Sequence, residues 1–463
     1  MNLENRIRVE FAPLKSTFIG LPRALLFNML FRDSYGGKII LRIDDTDGLR
    51  AQPERLKIVF DTLHWLGINW NEGPDIGGEY APYIQSERKS SYLKATEHLI
   101  KKNRAYRCFC NQSANSHGCL RDCKNYSQNE IDNRLSEGQQ YCVRYCINNE
   151  IESYFDLIHG EIHKELKDIS DPVIVRTDGT PTFHLATAVD EGALRITHII
   201  RGVDHIESVF IQQQIMKDLG IKLPQYAHFS IYESEGENIY ADNLKGKYDV
   251  ESLRREGFLG RAIVNFLITS GYMPKGVEDC TLFEYNDFLT SFDLKNFSQS
   301  NQFYDFERLI SINRKWIRHL PEEQYLSEVE QYFKFVDYSF HVPVQLRLVL
   351  KNHIDTLGDL IRKISVLYDQ SETMVQVIQN EIGSERVVLK KIYDECVKCS
   401  HWTQEDLKSV IVKSAIDFGK KRCYEVFRIA LTYKEPFGSI LEIAECLGRE
   451  ITISKLSKIL ELE

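Results

Sequence analysis

The chain has 463 residues, 43% of them hydrophobic and 27% charged, enough apolar sequence to bury a sizeable core and too much for a disordered protein. Lys and Arg number 58 against 67 Asp and Glu, a formal net charge of −9, so no global basic field marks a nucleic-acid binder, although local basic patches stay compatible with one. At about 150 residues per domain the length predicts some three domains.

The first ~80 residues read as α/β. Arg6 to Phe11 alternates like a strand, and Pro22 to Phe31 predicts a helix with Pro at its first position. Lys38 to Ile43 is a β-rich run ending in the acidic turn Asp44-Asp45-Thr46-Asp47. A second helix follows, with Pro53 near its start, Leu56, Val59, Phe60, Leu63 and Leu66 at helical spacing, and Gly67 as a stop. Strand and helix in alternation predict a parallel, doubly wound sheet. From about 96 to 184 the pattern shifts to a cysteine-rich loop and short strands near 141–146 and 172–176, with Asp178-Gly179 as a hairpin-turn signal. The parallel pattern resumes at Ile196 to Ile200, a strand ending at Arg201-Gly202, and such strand ends are where open α/β sheets bind ligands. Beyond about 310 the period is helical, as in Ile440, Ile443, Ala444 and Leu447 before Gly448.

Four of the 11 cysteines, Cys108, Cys110, Cys119 and Cys123, fall within sixteen residues. Thiolates suit a tetrahedral Zn²⁺, and four protein ligands would leave no open position, so a structural Zn²⁺ site is expected. His117 is an alternative to one of the cysteines, and four unrelated thiols in a surface loop are the plainer reading. Cys396-Val-Lys-Cys399 sits in a helical pattern with no second pair nearby and reads as packing. Clustered thiols of this kind suit a reducing compartment. The N-terminus has no secretory pattern, and no stretch of about 18 uninterrupted apolar residues occurs. A cytoplasmic protein without membrane contact, and a monomer, is the expectation.

Phe11-Ala12-Pro13, Leu26-Phe27-Asn28, the run from Gly37 to Asp47 (GGKIILRIDDTD), GPDIGG (Gly73 to Gly78), YIQSER (Tyr83 to Arg88), DGTPTFHLA (Asp178 to Ala186), ITHIIRGVDH (Ile196 to His205) and REGFL (Arg255 to Leu259) follow one another in order. In that order and spacing the chain resembles the bacterial glutamyl-tRNA synthetases, a family of class I aminoacyl-tRNA synthetases, along its whole length. The resemblance implies an α/β Rossmann-type catalytic domain with a zinc-bearing insertion, followed by an all-α anticodon-binding region. Its parts would be a first half at 1–95, an acceptor-binding insertion with the zinc site at 96–184, a second half at 185–232, a connecting α domain at 233–312, and the anticodon-binding region at 313–463. It implies ATP with Mg²⁺, glutamate and a glutamate-type tRNA as partners, and ligation through a glutamyl adenylate.

Two ATP-handling signatures of that family depart here. Its HIGH motif falls on Phe18, Ile19, Gly20 and Leu21, and neither Phe18 nor Leu21 carries a donor. Its KMSKS loop falls on Tyr240, Ala241, Asp242, Asn243 and Leu244, without a lysine; Lys245 and Lys247 lie downstream as substitutes only in a slipped register. Substrate contacts implied by the resemblance are Arg201 and His205, both retained, with Asp44, Phe183 and Thr187 replacing a glutamate, a tyrosine and an asparagine. Where the family has an arginine before its Phe11 equivalent, this chain has Glu10, with Arg8 on the same strand face as partial compensation. Two like charges at 4 Å repel by about 4 kcal/mol at an effective dielectric near 20. Losing one preorganised donor costs ~10²–10³ in rate, and several such losses, even non-additive, on the order of 10⁴ or more. The expectation is therefore a synthetase homologue with reduced or lost activation chemistry; the alternative is a non-catalytic tRNA-binding paralogue. A third reading, a shortened relative that glutamylates a modified tRNA base, lacks the C-terminal region present here. Basic clusters at Lys101-Lys102 with Arg104 and Arg107, Arg254-Arg255, Arg314-Lys315 with Arg318, and Lys420-Lys421-Arg422 are candidate phosphate contacts, with Tyr106, Phe109 and Trp316 as candidate stacking residues.

Overall fold

Strand β1 (Arg6–Phe11) alternates Ile7, Val9 and Phe11 on one face with Arg6, Arg8 and Glu10 on the other, and both faces are covered. That double burial belongs to the centre of a parallel sheet. The computed structural model describes residues 4–12, 17–46, 53–110, 122–148, 150–167, 169–233, 249–274, 282–433 and 435–461. Helix α1 (Gly20–Tyr35) starts two residues ahead of Pro22, which sits in the first turn where its missing N–H costs nothing. Strand β2 (Lys38–Ile43) and helix α2 (Pro53–Trp65) occupy their expected places.

After helix α3 (Lys89–Lys101), strands β3 (Ala105–Cys108), β4 (Cys142–Tyr145) and β7 (Val173–Val175) form a separate three-stranded antiparallel sheet, with helix α4 (Gln128–Ser136) between β3 and β4. The hairpin β5 (Ile151–Asp156) and β6 (Gly160–Glu165) lies between β4 and β7 in sequence, yet it joins the main sheet. Helix α5 (Phe183–Ala193), strand β8 (His198–Gly202), helix α6 (Ile206–Leu219) and strand β9 (Gln225–Phe229) complete the α/β part.

The main sheet has the order β2-β1-β8-β9-β5-β6. Five strands are parallel and β6 is antiparallel to β5, so the sheet is mixed where a purely parallel one was expected. The β5–β6 hairpin escaped the sequence because its outward faces are exposed, as at Ile151 and Phe155, and give no buried run. The Asp178-Gly179 turn forms, with Gly179 at φ +80°, but only a single bridge, Val175 to Pro181, follows before α5 begins. Strand β8 starts two residues later than expected and includes Arg201 and Gly202.

The chain divides into two units, residues 1–251 with 264–305 and residues 252–263 with 306–463. The second is helical. Its later helices run Arg386–Val397, Gln404–Phe418, Lys420–Thr432, Ile440–Leu447 and Arg449–Glu461. Leu389, Ile392, Cys396, Ile411, Phe427 and Leu456 pack into one core, so Cys396 is a packing residue. Gly257, at φ +82°, allows its turn to touch Gly358, whose amide N would lie 2.3 Å from any added Cβ. Among the described residues no helix is long and apolar enough to cross a membrane.

Candidate active site

From β1 the chain turns one way to β2 and later the other way to β8, so the carboxyl ends of β1 and β8 flank the switch point where open sheets leave a crevice. Register sets the side chains there. Glu10 pairs with Arg42 of β2, and Arg8 pairs with Ile199 of β8, which brings Arg201 level with Glu10. Three guanidinium groups converge on one carboxylate. Glu10 Oε2 lies 2.5 Å from Arg8 Nη1 and accepts from Arg42 Nη2 at 2.9 Å, and Oε1 lies 3.6 Å from Arg201 Nη1. Arg8, expected to relieve Glu10 by standing in for the family's arginine, is instead spent on Glu10 itself and on Glu191, to which its Nε donates at 2.9 Å.

Arg42 also donates twice to Asp44, at 2.6 and 2.7 Å, and reaches Thr187 Oγ1 at 3.3 Å. Burial raises the Glu10 carboxyl, but Arg8, Arg201 and Arg42 outweigh it and hold the group well below the usual range. Asp44 shares Arg42 with Glu10. Burial, with Glu10's charge added, pushes Asp44 up to about 7 against the pull of Arg42. Burial also raises Glu191 against Arg8 and Arg42.

Behind Arg201 lies a buried pair. His228 Nδ1 donates to Asp156 Oδ2 at 2.7 Å, which leaves His228 Nε2 as the acceptor for Arg201 Nε at 3.4 Å. Asp156 also accepts from the backbone N–H groups of Ile158 and His159, at 2.9 and 3.0 Å. Burial lowers His228 to about 4, against the hydrogen bond it donates to Asp156, so the imidazole stays neutral and keeps its lone pair toward the arginine. Gln212 Oε1 takes a second Arg201 hydrogen bond at 3.2 Å. Arg201 is thereby aimed, not merely buried.

A cavity of about 300 Å³ opens beside these groups. Arg8, Glu10, Arg201, His205 and Asp204 line it together with Phe18, Gly20, Leu21 and Arg23 from the start of α1 and Phe229, Ile231 and Tyr232 after β9. Ile19 is buried just before the first turn of α1. Arg23 lies over the rings of Phe27 and Tyr232 and donates from its Nη groups to the carbonyls of Ser230 and Ser270, at 2.5 and 2.8 Å. Burial lowers His205. Phe183 stacks obliquely near His205, ring centroids 5.7 Å apart.

Residues 6–311 match the family described as tRNA synthetases class I (E and Q), catalytic domain, and residues 309–460 match the anticodon binding domain. The chain belongs to the class I tRNA synthetases. It is 28% identical over 480 residues to glutamate–tRNA ligase 2 of Caldicellulosiruptor saccharolyticus, covering 98% of this chain and 99% of the relative. It is 29% identical over 479 residues to the glutamate–tRNA ligase of Sulfurihydrogenibium sp., covering 98% and 99%. The fold is that of the crystal structure of a glutamate tRNA ligase from Elizabethkingia meningosepticum in complex with its amino acid, with a TM-score of 0.80 at 22% identity over 99% of this chain and 100% of that one.

Against this synthetase frame, the expected residues Arg8, Glu10, Asp44, Thr187 and Arg201 meet in one network, and His205 shares the cavity. Tyr240 to Leu244, Lys245 and Lys247 lie outside the described residues, as do His117 and Cys119. The Cys108, Cys110 and Cys123 sulfurs lie within 4.8 Å of one another. Cys142, paired with Cys108 across β3 and β4, and Cys146 join Cys108 and Cys123 in a buried cluster, while Cys110 is exposed.

Sequence reasoning missed Arg42, Arg23, Glu191, Asp156 and His228. A lone arginine inside KIILRI and another in PRALLF were the available signals, since unpaired charge does not survive in a core. Of the candidate stacking residues, Tyr106 and Trp316 are buried and serve packing. Several candidate phosphate contacts are held within the protein: Arg104 by Asp218, Arg314 by Asp355, Arg422 by Glu385.

Proposed function

We propose that this synthetase homologue binds tRNA while its ATP-dependent activation of glutamate is reduced or lost. The observation that carries the reading is the cavity wall at the first turn of α1. Phe18 and Leu21 line the cavity there, at a place where the resemblance expects donors that neutralise a phosphorus centre gathering negative charge. The cations that do line it have other duties: Arg23 donates to two carbonyls, Arg8 and Arg201 face Glu10, and burial favours the neutral form of His205. Little of a helix-end anion site is left beside them, because Leu21 N and Arg23 N donate to the Phe18 and Ile19 carbonyls and Pro22 has no N–H.

When bound, ATP with Mg²⁺ would supply the activated phosphorus. This chain's part would be to aim Arg201 through His228 and to keep water from the cavity. The three converging thiols fit a soft metal, so Cys108, Cys110 and Cys123, with Cys119 as fourth ligand, would hold a structural Zn²⁺ in the 96–184 segment. The 233–312 segment would connect the catalytic part to an anticodon-binding region at 313–463, giving a cytoplasmic monomer that meets glutamate-type tRNA.

Glutamyl-tRNA formation with purified protein, glutamate, ATP and total tRNA tests the reading. Charging well below ~1 s⁻¹, an ordinary enzymatic rate, together with filter binding of tRNA that fades steeply with salt, is the expected outcome. Charging above that rate would overturn it, and a chain that binds no tRNA would overturn its other half.

A further inference from the structure

Three guanidinium groups around one oxygen pair are the arrangement a protein uses to seize a ligand's carboxylate. Here the chain supplies that carboxylate itself. Glu10 Oε2 lies 2.5 Å from Arg8 and 2.9 Å from Arg42, and Oε1 faces Arg201 at 3.6 Å. Arg8, Glu10 and Arg201 all line the cavity, so the occupied socket opens on ligand space and is not a sealed internal ion pair.

Charge counting sharpens the point. Asp190 is balanced by Arg88, which donates to it at 2.6 Å. The remaining cations, Arg8, Arg42 and Arg201, face the carboxyls of Glu10, Asp44 and Glu191, and Glu10 is the one that all three guanidinium groups approach. A ligand's side-chain carboxylate drawn to those guanidinium groups would meet Glu10's like charge in a buried place, which proteins avoid. Among the described residues, Glu10 Oε1 and Arg201 Nη1 are buried and make no hydrogen bond, although they face each other. A ligand that both donates and accepts could bridge them.

We propose that Glu10 is the specificity-determining residue of this cavity: its carboxylate fills the arginine socket, so the site excludes glutamate and other dicarboxylates and admits amino acids without a side-chain anion. This takes from the proposed function only that the ligand is an amino acid. It stands or falls separately from tRNA binding and charging, because its readout is amino-acid binding alone.

The test is calorimetric titration and thermal shift of the full chain with glutamate, glutamine and acetate. It compares the unchanged protein with Glu10→Gln, which keeps the side chain's shape and removes its charge, and Glu10→Ala, which also vacates the space. The unchanged chain is expected to show no saturable response to glutamate or acetate. Glu10→Gln is expected to bind glutamate at least tenfold more tightly than the unchanged chain, and Glu10→Ala, where it folds, to be stabilised saturably by acetate as well. Saturable glutamate binding by the unchanged chain, as tight as by Glu10→Gln, would overturn the proposal. So would a folded Glu10→Gln protein that gains no affinity for glutamate.

Discussion

His228 shows how one buried side chain ties the site to solution conditions. Burial takes its pKa from 6.5 to about 4. Between those values the unfolded chain binds a proton that the folded chain refuses, so folding is favoured above pH 6.5 and loses that advantage as the pH falls toward 4. A shift of that size corresponds to about 3 kcal/mol for a side chain fully withdrawn from water. Urea unfolding measured at pH 7 and at pH 4.5 is expected to show the loss, and His228→Asn, which keeps a donor for Asp156 but cannot titrate, is expected to reduce it by about 2 kcal/mol. An unaltered pH dependence in that variant would show that the imidazole is not held neutral. The same depression in His184, lowered to about 4 by burial and Arg201, acts in the same direction. Neither histidine was legible as a pH element in the sequence, since each owes its shift to groups distant in the chain.

Elements carry the next level of control, and here register matters most. Side chains alternate faces along a strand, so a one-residue slip of β1 against β2 would send Glu10 and Arg8 to the opposite face and break the Glu10–Arg42 and Arg8–Glu191 ion pairs. The three-stranded sheet has a different anchor. Its β3 strand ends in Cys108, whose sulfur meets those of Cys110 and Cys123, while Cys142 stands opposite on β4. Elemental analysis is expected to find one zinc per chain, and the Cys108→Ser, Cys110→Ser double variant to release it and lower the first thermal transition. A native, fully reduced protein without metal would refute the site. The cysteine spacing made the cluster readable because soft ligands gathered in polar sequence are hard to explain by packing. The β5–β6 hairpin was not readable, because its half-exposed strands lack the buried period of their parallel neighbours.

For the whole molecule, the boundary between the two matched families near residue 310 is not the boundary between the folded units. Residues 252–263 belong with 306–463. Leu259 N donates to Asn313 Oδ1 at 2.8 Å, Tyr332 Oη donates to the Arg255 carbonyl at 2.6 Å, and Leu357 N donates to the Gly257 carbonyl at 2.9 Å. A fragment ending at Asp305 strips those partners away. Limited trypsin digestion is expected to cut that fragment after Arg254, Arg255 or Arg261 at least tenfold faster than the intact chain. Equal rates would show that the segment holds its shape without the later helices.

Periodicity by itself determined the order of strands and helices in the first α/β part and the helical character of the last third, and the ordered motifs, by resemblance, pointed to the family. Those features are written locally, in hydrophobic spacing and motif order, because backbone propensity and amphipathic period act over a few residues. Only the tertiary structure decided that Glu10 would sit inside an arginine trio, that Arg8 would be consumed by it, and that Asp156 and His228 would aim Arg201. Each of those facts depends on Coulomb and hydrogen-bond contacts between residues up to nearly two hundred positions apart, joined by strand order and register, and a charge in a sequence does not name its partner.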